Sequence, residues 1–291
     1  MRRIGVLMGG ESHERDVSRV TGTAVAKALA ERGYDVMLLD TADGLRPIEA
    51  SADVAVDLPA PSIGMAPPET ALEPRPEEFS GVQSVKSFAS SLVDVDAVFI
   101  ALHGGWGEDG TIQALFEMLE VPYTGSGVLG SALAMDKDRA KRVMRASGVA
   151  TPDWTVLEVG RHGDVDPAEV RRAREALPGA VIVKPNTEGS TVGLRKVEAG
   201  EDLTEAVDYA ARYGDRVLVE AFVPGRELTV AVLGDEALPV VEIIPEGGLY
   251  SYEAKYTKGR SRYEVPARLP DDVADSLRRT SRDIFRLLDL D

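Results

Sequence analysis

A lysine followed by a glycine-rich loop lies near the middle of the chain. Residues 184–193 read Lys-Pro-Asn-Thr-Glu-Gly-Ser-Thr-Val-Gly and follow the apolar run 180–183. Glycines let backbone N–H groups approach an anion closely, and Lys184 adds a fixed positive charge. A Walker P-loop is excluded, because its glycines precede its lysine. Taken alone, the segment fits phosphate binding and a β-hairpin with a surface lysine equally well.

Two further glycine-rich segments each follow a short apolar run. Residues 9–18 read Gly-Gly-Glu-Ser-His-Glu-Arg-Asp-Val-Ser, and residues 103–110 read His-Gly-Gly-Trp-Gly-Glu-Asp-Gly. In an open α/β sheet, ligands bind at turns of this kind, where the strands end. Glu14 could bind an amine there, although a carboxylate at this place also suits the start of a helix, whose dipole favours negative charge.

Two polar segments in the last third of the chain could contribute to a nucleotide site. Residues 220–227 join two predicted strands, and such a linker offers backbone donors and acceptors to a flat base and carboxylates to a ribose. Taken alone, an ordinary strand connection explains this segment better. Residues 252–260 are cationic in an acidic chain and include Lys255 and Tyr256, but a solvated loop is the alternative.

The composition limits the partners of these segments. The chain has 291 residues, a formal net charge of −16 and no cysteine. A strongly acidic surface repels phosphate backbones, which argues against nucleic acid and anionic membranes as partners. The absence of cysteine excludes disulfides, thiolate metal sites and a thiol nucleophile. An anionic ligand must therefore be held by a local cluster of lysine and arginine.

The order of elements predicts an open α/β domain at the N-terminus. Apolar runs at 4–8, 36–39 and 97–102 are typical of strands covered on both faces, and a helix at 18–32 ends at Gly33. Further helices are predicted at 111–120 and 127–147. In the second half, strands are predicted at 154–157, 180–184, 216–221, 227–233 and 239–244, and helices at 167–176, 201–212 and 271–288.

The pattern loosens between residues 41 and 90. Seven of the 17 prolines fall there. We expect one short strand near 52–58 and an exposed loop or insertion over 60–79.

Taken together and in order, the motifs resemble those of the D-alanine–D-alanine ligase family, whose members are ATP-grasp enzymes of peptidoglycan synthesis. The resemblance covers residues 3–40 and 95–291. Its motifs are G-G-x-S-x-E-R-D-V-S at 9–18, A-L-H-G-G-W-G-E-D-G-T-I-Q at 101–113, Y-T-G-S-G at 123–127, A-L-A-M-D-K at 132–137, V-K-P-N-T-E-G-S-T-V-G at 183–193, G-R-E at 225–227 and Y-E-A-K-Y at 252–256.

The resemblance implies an α/β fold with an open parallel-sheet domain, followed by a two-part ATP-grasp fold that is α+β. The substrate-binding N-terminal domain would span 1–125, with a proline-rich insertion near 41–90. The central ATP-grasp subdomain would span 126–219, and an incomplete C-terminal subdomain would span 220–291.

The resemblance also implies which residues bind ATP. Lys137 and Lys184 would neutralise the α- and β-phosphates, and Lys255 would face the γ-phosphate. Glu220 and the backbone at Phe222 and Val223 would hold the adenine edge. Glu227 would bind the ribose.

For the amino-acid substrate, the resemblance implies that Glu14 binds the ammonium group of the first D-alanine and that His103 lies near its carboxylate. Ser190 and Tyr256 would form a hydrogen-bonded cluster with Glu14, and closure of the loops would exclude water. Relatives that accept D-lactate have a different loop at the Lys-Tyr position, so Tyr256 favours D-alanine as second substrate. The resemblance further implies a cytoplasmic homodimer.

In the family, a strand pair beyond the last helix supplies Asp, Glu and Asn ligands to two Mg²⁺ ions that accompany ATP. No such motif is present, since Asn186 is the only asparagine. We therefore expect the metal ligands beyond residue 291 and none within the sequence. One alternative is a truncated, catalytically inactive ATP-binding homologue. Another is a different ATP-grasp carboxylate–amine ligase, against which Glu14, Ser190 and Tyr256 weigh.

Overall fold

The computed structural model describes residues 2–41, 46–48, 62–64, 66, 82–160, 163–248 and 250–291. The chain divides into two compact units, Met1–Val128 and Leu129–Asp291. Most of the predicted insertion near 41–90, including the expected strand at 52–58 and nearly all of the expected loop at 60–79, lies outside the described residues. In the described part of the chain, no helix is both long and apolar enough to cross a lipid bilayer.

The first unit is built on a four-stranded sheet. Its strands are β1 (Arg3–Met8), β2 (Asp35–Asp40), β3 (Arg46–Ile48) and β4 (Ala97–Ile100), in the order β3-β2-β1-β4. β1 pairs in parallel with both β2 and β4, while β3 runs antiparallel to β2. The three predicted strands at 4–8, 36–39 and 97–102 therefore form a parallel sheet, as the apolar runs indicated.

Both faces of this sheet are covered. Side chains alternate along a strand, and on β1 Val6 and Met8 belong to one apolar cluster while Leu7 belongs to another. Helix α1 (Arg15–Glu31) packs on the first face through Ala26. The second face is covered by α2 (Val82–Ser91) and α3 (Thr111–Met118).

Helix α1 begins three residues earlier than predicted and lies very close to the sheet. A Cβ atom on Gly22, in the middle of α1, would lie 2.5 Å from the Cβ atom of Met8. Only glycine allows this approach of helix to strand. Gly33 follows the helix with φ = 82°, which is the left-handed conformation that commonly ends helices.

The helix predicted over 127–147 is wrong in one respect, because it is two helices. These are α4 (Val128–Met135) and α5 (Lys137–Ala146). Asp136 between them is extended, with φ = −83° and ψ = 100°, and its side chain accepts a hydrogen bond from the backbone N–H of Arg139. Asp136 therefore caps a new helix instead of continuing the first one.

The second unit contains a four-stranded antiparallel sheet in the order β5-β8-β6-β7. Its strands are β5 (Trp154–Glu158), β6 (Val181–Pro185), β7 (Arg195–Val197) and β8 (Arg216–Ala221). Helices α6 (Pro167–Ala176) and α7 (Thr204–Ala210) pack on this sheet through one apolar cluster that includes Val170, Val207 and Val219. α7 is shorter than the helix predicted over 201–212, because it ends in a 3₁₀ turn at Ala211–Tyr213.

A smaller sheet follows in the order β13-β12-β9. Its strands are β9 (Glu227–Thr229), β12 (Val241–Pro245) and β13 (Ser261–Glu264), and a short hairpin of β10 (Val232–Leu233) and β11 (Glu236–Ala237) precedes β12. The single strand predicted over 227–233 is thus split in two. Residues 252–260 are only partly a loop, since Tyr252–Tyr256 form the short helix α8. The last helix, α9 (Asp271–Leu287), agrees with its prediction.

Candidate active site

Two glycine-rich loops meet at the carboxyl ends of β1 and β4 in the first unit. The backbone N–H of Gly9 donates to Ser18 Oγ at 2.9 Å, and this hydroxyl donates to the carbonyl of Ala101 at 2.7 Å. Ser12 Oγ donates to the carbonyl of His103 in a short hydrogen bond. These bonds fix the two loops to each other at the edge of the sheet where ligands bind in open α/β folds.

Glu14 lies at the start of α1 and is 3% exposed. Its backbone N–H donates to Ser12 Oγ at 3.2 Å, and its carbonyl accepts the backbone N–H of Ser18 at 2.9 Å. Its side chain makes no helix-capping hydrogen bond, although its place at the helix start still suits the helix dipole. A Cβ atom on Gly104 would lie 3.2 Å from Glu14 Oε2, which places the carboxylate beside the second glycine loop.

His103 lies at the start of the second glycine-rich loop, which follows β4. Its Nε2 is 3.2 Å from Thr21 Oγ1 on α1, and its Nδ1 is 3.9 Å from Glu108 Oε1. Glu108 also accepts the backbone N–H of Gly104 at 2.7 Å through its other oxygen. The imidazole is therefore held between a hydroxyl and a carboxylate. The structure thus brings Glu14 and His103 to one edge of one sheet.

In the second unit, Glu220 on β8 lies between two lysines. Lys184 Nζ, from the neighbouring strand β6, donates to Glu220 Oε1, and Lys141 Nζ, from α5, donates to Oε2 at 2.9 Å. Burial alone raises the pKa of Glu220, but the charges and hydrogen bonds of the two lysines outweigh it and hold the pKa below its ordinary value. The carboxylate is therefore a stable anion in a cationic cluster.

This arrangement differs from the role predicted for Glu220. In the structure, both carboxylate oxygens of Glu220 bind lysines. The contact of its side chain with the adenine edge stays a prediction. Lys141 was missed by sequence reasoning. Its position four residues after Lys137 could have pointed to it, since residues with this spacing share one face of a helix.

Lys137, the first residue of α5, reaches the loop that follows β6. Its Nζ donates to the carbonyl of Glu188 at 2.5 Å and to that of Asn186 at 3.4 Å. The segment 184–193 connects two antiparallel strands, so the hairpin topology is correct, but Lys184 is only 20% exposed and is not a free surface lysine. Lys137 therefore contacts the loop that begins at Lys184, the other lysine predicted to neutralise the α- and β-phosphates.

Asn186 joins α5 to the end of β6, and sequence reasoning had assigned it no role. Its Nδ2 donates to Asp136 Oδ1 at 2.8 Å, and its Oδ1 accepts the backbone N–H of Asp138 at 2.9 Å. Arg216 binds the other oxygen of Asp136 at 2.6 Å. Burial alone raises the pKa of Asp136, but the hydrogen bonds from Asn186 and Arg216 hold it below its ordinary value.

Ser190 and Tyr256 are joined directly in the second unit. Their hydroxyl oxygens are 2.5 Å apart, which links the loop after β6 to the end of α8. Ser190 and Thr191 have φ values of 46° and 59°, in the left-handed region that non-glycine residues rarely adopt. Lys255 Nζ lies 5.2 Å from the ring centroid of Tyr250. The pairing of Ser190 with Tyr256 agrees with the sequence, whereas the contact of this pair with Glu14 stays a prediction.

The connection from β8 to β9 contains the remaining predicted residues. The backbone N–H of Phe222 donates to the carbonyl of Ala180 at 2.9 Å, so its carbonyl is the group that a base could use. Val223 is 66% exposed, and Glu227 is exposed at the start of β9. The predicted roles of these residues therefore remain untested by their contacts within the chain.

A cavity of about 640 Å³ between α5 and β5 contains none of the predicted site residues. It is lined in part by Arg142, Arg145, Arg216 and Trp154. Each guanidinium is already paired with an aspartate, namely Asp138, Asp153 and Asp136 respectively. The cavity therefore offers an anion no uncompensated charge.

Comparison with known proteins covers both units. A family model described as "D-ala D-ala ligase N-terminus" matches residues 3–126, and one described as "D-ala D-ala ligase C-terminus" matches residues 143–291. The D-alanine–D-alanine ligase of Aquifex aeolicus (strain VF5) is 41% identical over 289 residues, which cover 99% of this chain and 81% of the relative.

Solved structures agree with these matches. The D-alanine–D-alanine ligase of Bacillus anthracis has a TM-score of 0.71 at 27% identity, over 100% of this chain and 80% of that chain. The same ligase complexed with ATP has a TM-score of 0.69 at 24% identity, over 100% of this chain and 79% of that chain. At this identity, the likeness supports a shared fold only. The VanG D-Ala:D-Ser ligase of Enterococcus faecalis has a TM-score of 0.73 at 26% identity, over 99% of this chain and 83% of that chain. The chain therefore belongs to the D-alanine–D-alanine ligase family.

Proposed function

We propose that this chain joins two molecules of D-alanine in a reaction driven by ATP, and so makes a dipeptide for peptidoglycan synthesis. The observation that carries the proposal is that Lys137 donates a hydrogen bond to the glycine-containing loop that begins at Lys184, in a chain of net charge −16. Family membership supports the same reaction. Here ATP is a substrate, and the chain's own groups bind and orient it.

For the nucleotide, we assign the α- and β-phosphates to Lys137 and Lys184 and the γ-phosphate to Lys255. The carbonyl of Phe222 and the backbone of Val223 would meet the adenine edge, and Glu227 would bind the ribose. Preorganised cations of this kind stabilise the negative charge that develops during phosphoryl transfer.

For the first D-alanine, we propose that Glu14 binds its ammonium group and that His103 lies near its carboxylate. A buried carboxylate offers an ammonium ion a charge-assisted hydrogen bond, which is stronger than one between neutral groups. The two loops that hold Glu14 and His103 are bonded to each other, which fixes the geometry before the substrate arrives.

The reaction has two steps. A carboxylate oxygen of the first D-alanine attacks the γ-phosphorus of ATP, the bond from that phosphorus to the β-phosphate oxygen breaks, and ADP leaves. The amine nitrogen of the second D-alanine then attacks the acyl carbon. Phosphate leaves with the electrons of the C–O bond, and the nitrogen loses a proton as the peptide bond forms. The hydrogen bond between Ser190 and Tyr256 would hold its loop in place and help to exclude water from the acyl phosphate.

Magnesium dependence stays a prediction. Among residues 2–41, 82–160, 163–248 and the other described positions, no group of three or more histidine, aspartate or glutamate side chains could hold a metal ion. The metal ligands therefore stay an expectation beyond residue 291, and no step of the mechanism is assigned to a metal ion. A homodimer in the cytoplasm, without nucleic-acid or membrane partners, likewise remains our expectation.

Release of phosphate tests the proposal. The full-length protein, extended beyond residue 291, is incubated with ATP, Mg²⁺ and D-alanine, and we expect phosphate, ADP and D-alanyl-D-alanine in equal amounts, with no dipeptide from L-alanine. Nucleotide binding without phosphate release would favour an inactive ATP-binding homologue. Release that responds to another amino acid but not to D-alanine would favour a different ligase of this fold. Either result would contradict the proposal.

A further inference from the structure

Lys141, Glu220 and Lys184 form a mostly buried charge cluster in the second unit. Their side chains are 7%, 14% and 20% exposed, respectively. The two lysines divide the carboxylate between them, since Lys141 Nζ is 2.9 Å from Oε2 and Lys184 Nζ binds Oε1. Two ammonium groups thus face one carboxylate, and the cluster carries one excess positive charge.

The two lysines are not equivalent. Lys141 is fixed by a second hydrogen bond, from its Nζ to Thr151 Oγ1 at 2.6 Å, and its ammonium group lies 4.8 Å from the ring centroid of Trp154. Lys184 is the more exposed of the two and lies at the start of the loop that Lys137 also reaches. Lys141 is therefore anchored inward, while Lys184 is the cation placed to meet a ligand.

This difference matters because a buried carboxylate is costly without a counter-ion. If Lys184 were the only partner of Glu220, its ammonium group could turn to a phosphate only by leaving Glu220 buried and unpaired. With Lys141 in place, Glu220 keeps one hydrogen-bonded cation throughout. The charges of both lysines also contribute to the lowered pKa of Glu220.

We propose that Lys141 is a positioning residue for nucleotide binding: as the permanent counter-ion of Glu220, it releases Lys184 to bind a phosphate. The inference rests on the proposed function, because it takes the ligand of Lys184 to be a nucleotide. It adds a charge-balancing role to the Glu220 side chain, whose adenine-edge contact stays a prediction.

The test is a charge-balance cycle on the full chain. Lys141→Met leaves the neutral pair of Lys184 and Glu220, so we expect the Kd for ADP and the KM for ATP to rise about tenfold, with the KM for D-alanine unchanged. The double variant Lys141→Met/Glu220→Gln restores one positive charge and should recover most of that loss. Lys27→Met, on an exposed face of α1, is the control and should change neither constant.

Glu220→Gln alone keeps the inference testable even if Lys141→Met does not fold. It frees Lys184 without removing Lys141, so its Kd for ADP should stay within about threefold of the wild-type value, whereas a tenfold loss would overturn the inference. Wild-type affinity in Lys141→Met, or a double variant no better than the single one, would also overturn it. A wild-type chain that binds ADP but releases no phosphate with D-alanine would overturn the proposed reaction alone, and one that binds no ADP would overturn both.

Discussion

Glu14 shows how much a single residue can imply once its surroundings are known. Its sequence position allowed two interpretations, an amine ligand or a helix-start carboxylate. In the structure it is almost fully buried and makes no helix-capping bond. A carboxylate in this position can accept a charge-assisted hydrogen bond from the ammonium group of an amino acid.

We therefore expect Glu14→Gln to weaken D-alanine binding selectively. A hydrogen bond to a charged group contributes roughly 1.5–3 kcal/mol, so the KM for D-alanine should rise on the order of tenfold or more. The KM for ATP should change by less than about twofold. Steady-state kinetics with each substrate varied in turn measures both constants. Glu31→Gln, exposed at the other end of α1, is the matched control, and equal losses for both substrates would assign Glu14 a structural role.

At the residue scale, the sequence, through its family resemblance, predicted the pairing of Ser190 with Tyr256, but not the contact of Lys137 with the loop after Lys184. It did not predict Lys141 or Asn186. Their partners lie 79 and 50 positions away in the chain, at Glu220 and Asp136. Hydrogen bonds between positions so far apart depend on how strands and helices are aligned with one another. That alignment cannot be read from the periodicity of a single sequence.

Gly22 decides how closely one helix packs on the sheet. In an isolated helix, alanine would be about 1 kcal/mol more favourable than glycine. At this position a Cβ atom would lie 2.5 Å from the Cβ atom of Met8, which is closer than two carbon atoms that are not bonded can approach. The packing of α1 on β1 therefore opposes the intrinsic preference of the helix.

We expect Gly22→Ala to lower the free energy of unfolding by roughly 1–3 kcal/mol, because an overpacked core must shift the helix or the strand. Urea unfolding followed by circular dichroism measures the change. Lys27→Ala, on an exposed part of the same helix, should stay within about 0.5 kcal/mol of the wild type. A more stable Gly22→Ala chain would show that the space is available and that helix propensity dominates.

At the element scale, most helices and strands were predictable from apolar periodicity, and the errors have local causes. The apolar pattern runs through Met135 into α5, but the side chain of Asp136 caps a new helix there. The segment 227–233 has strand composition throughout, yet the strand breaks after Thr229 and its second part pairs with β11 in a hairpin. Periodicity reports which face is buried, while caps and turns decide where an element ends.

The whole molecule is strongly acidic, with 49 carboxylate residues against 33 lysines and arginines. Its response to acid combines two opposing effects. Protonation of exposed carboxylates relieves their mutual repulsion. Protonation of Asp136, Asp138 and Glu220 removes stabilisation, because the pKa of each is held below its ordinary value in the folded chain. Their contribution is fully present above about pH 5 and is lost as the pH falls through the lowered values.

We expect Asp136→Asn to show this dependence. At pH 7 the variant should be less stable by roughly 2 kcal/mol, because the ion pair with Arg216 is lost. Below about pH 4 the difference from the wild type should shrink as Asp136 itself becomes protonated. Urea unfolding at pH 7 and pH 3 measures both differences. Asp208→Asn, at an exposed position of α7, is the control. A difference that is equal at both pH values would contradict the lowered pKa.

At the scale of the whole chain, the α/β class and the parallel sheet of the first unit were predictable, because strands covered on both faces are apolar throughout. The order β5-β8-β6-β7 of the second unit was not, because antiparallel strands can be arranged in many orders with the same periodicity. The region near 41–90 had too little pattern for a firm prediction, and most of it lies outside the described residues.

The carboxylate of Asp136 performs three tasks at once: it caps α5, receives the amide of Asn186 and pairs with Arg216. This sharing makes the three positions epistatic, since residues in one hydrogen-bond network rarely have additive effects. Once Asp136 has been replaced, further change at Arg216 or Asn186 should cost less than it does in the wild type, although Asn186 still accepts the backbone N–H of Asp138. In a library of variants, these positions would therefore be tolerated or rejected as a group rather than one by one.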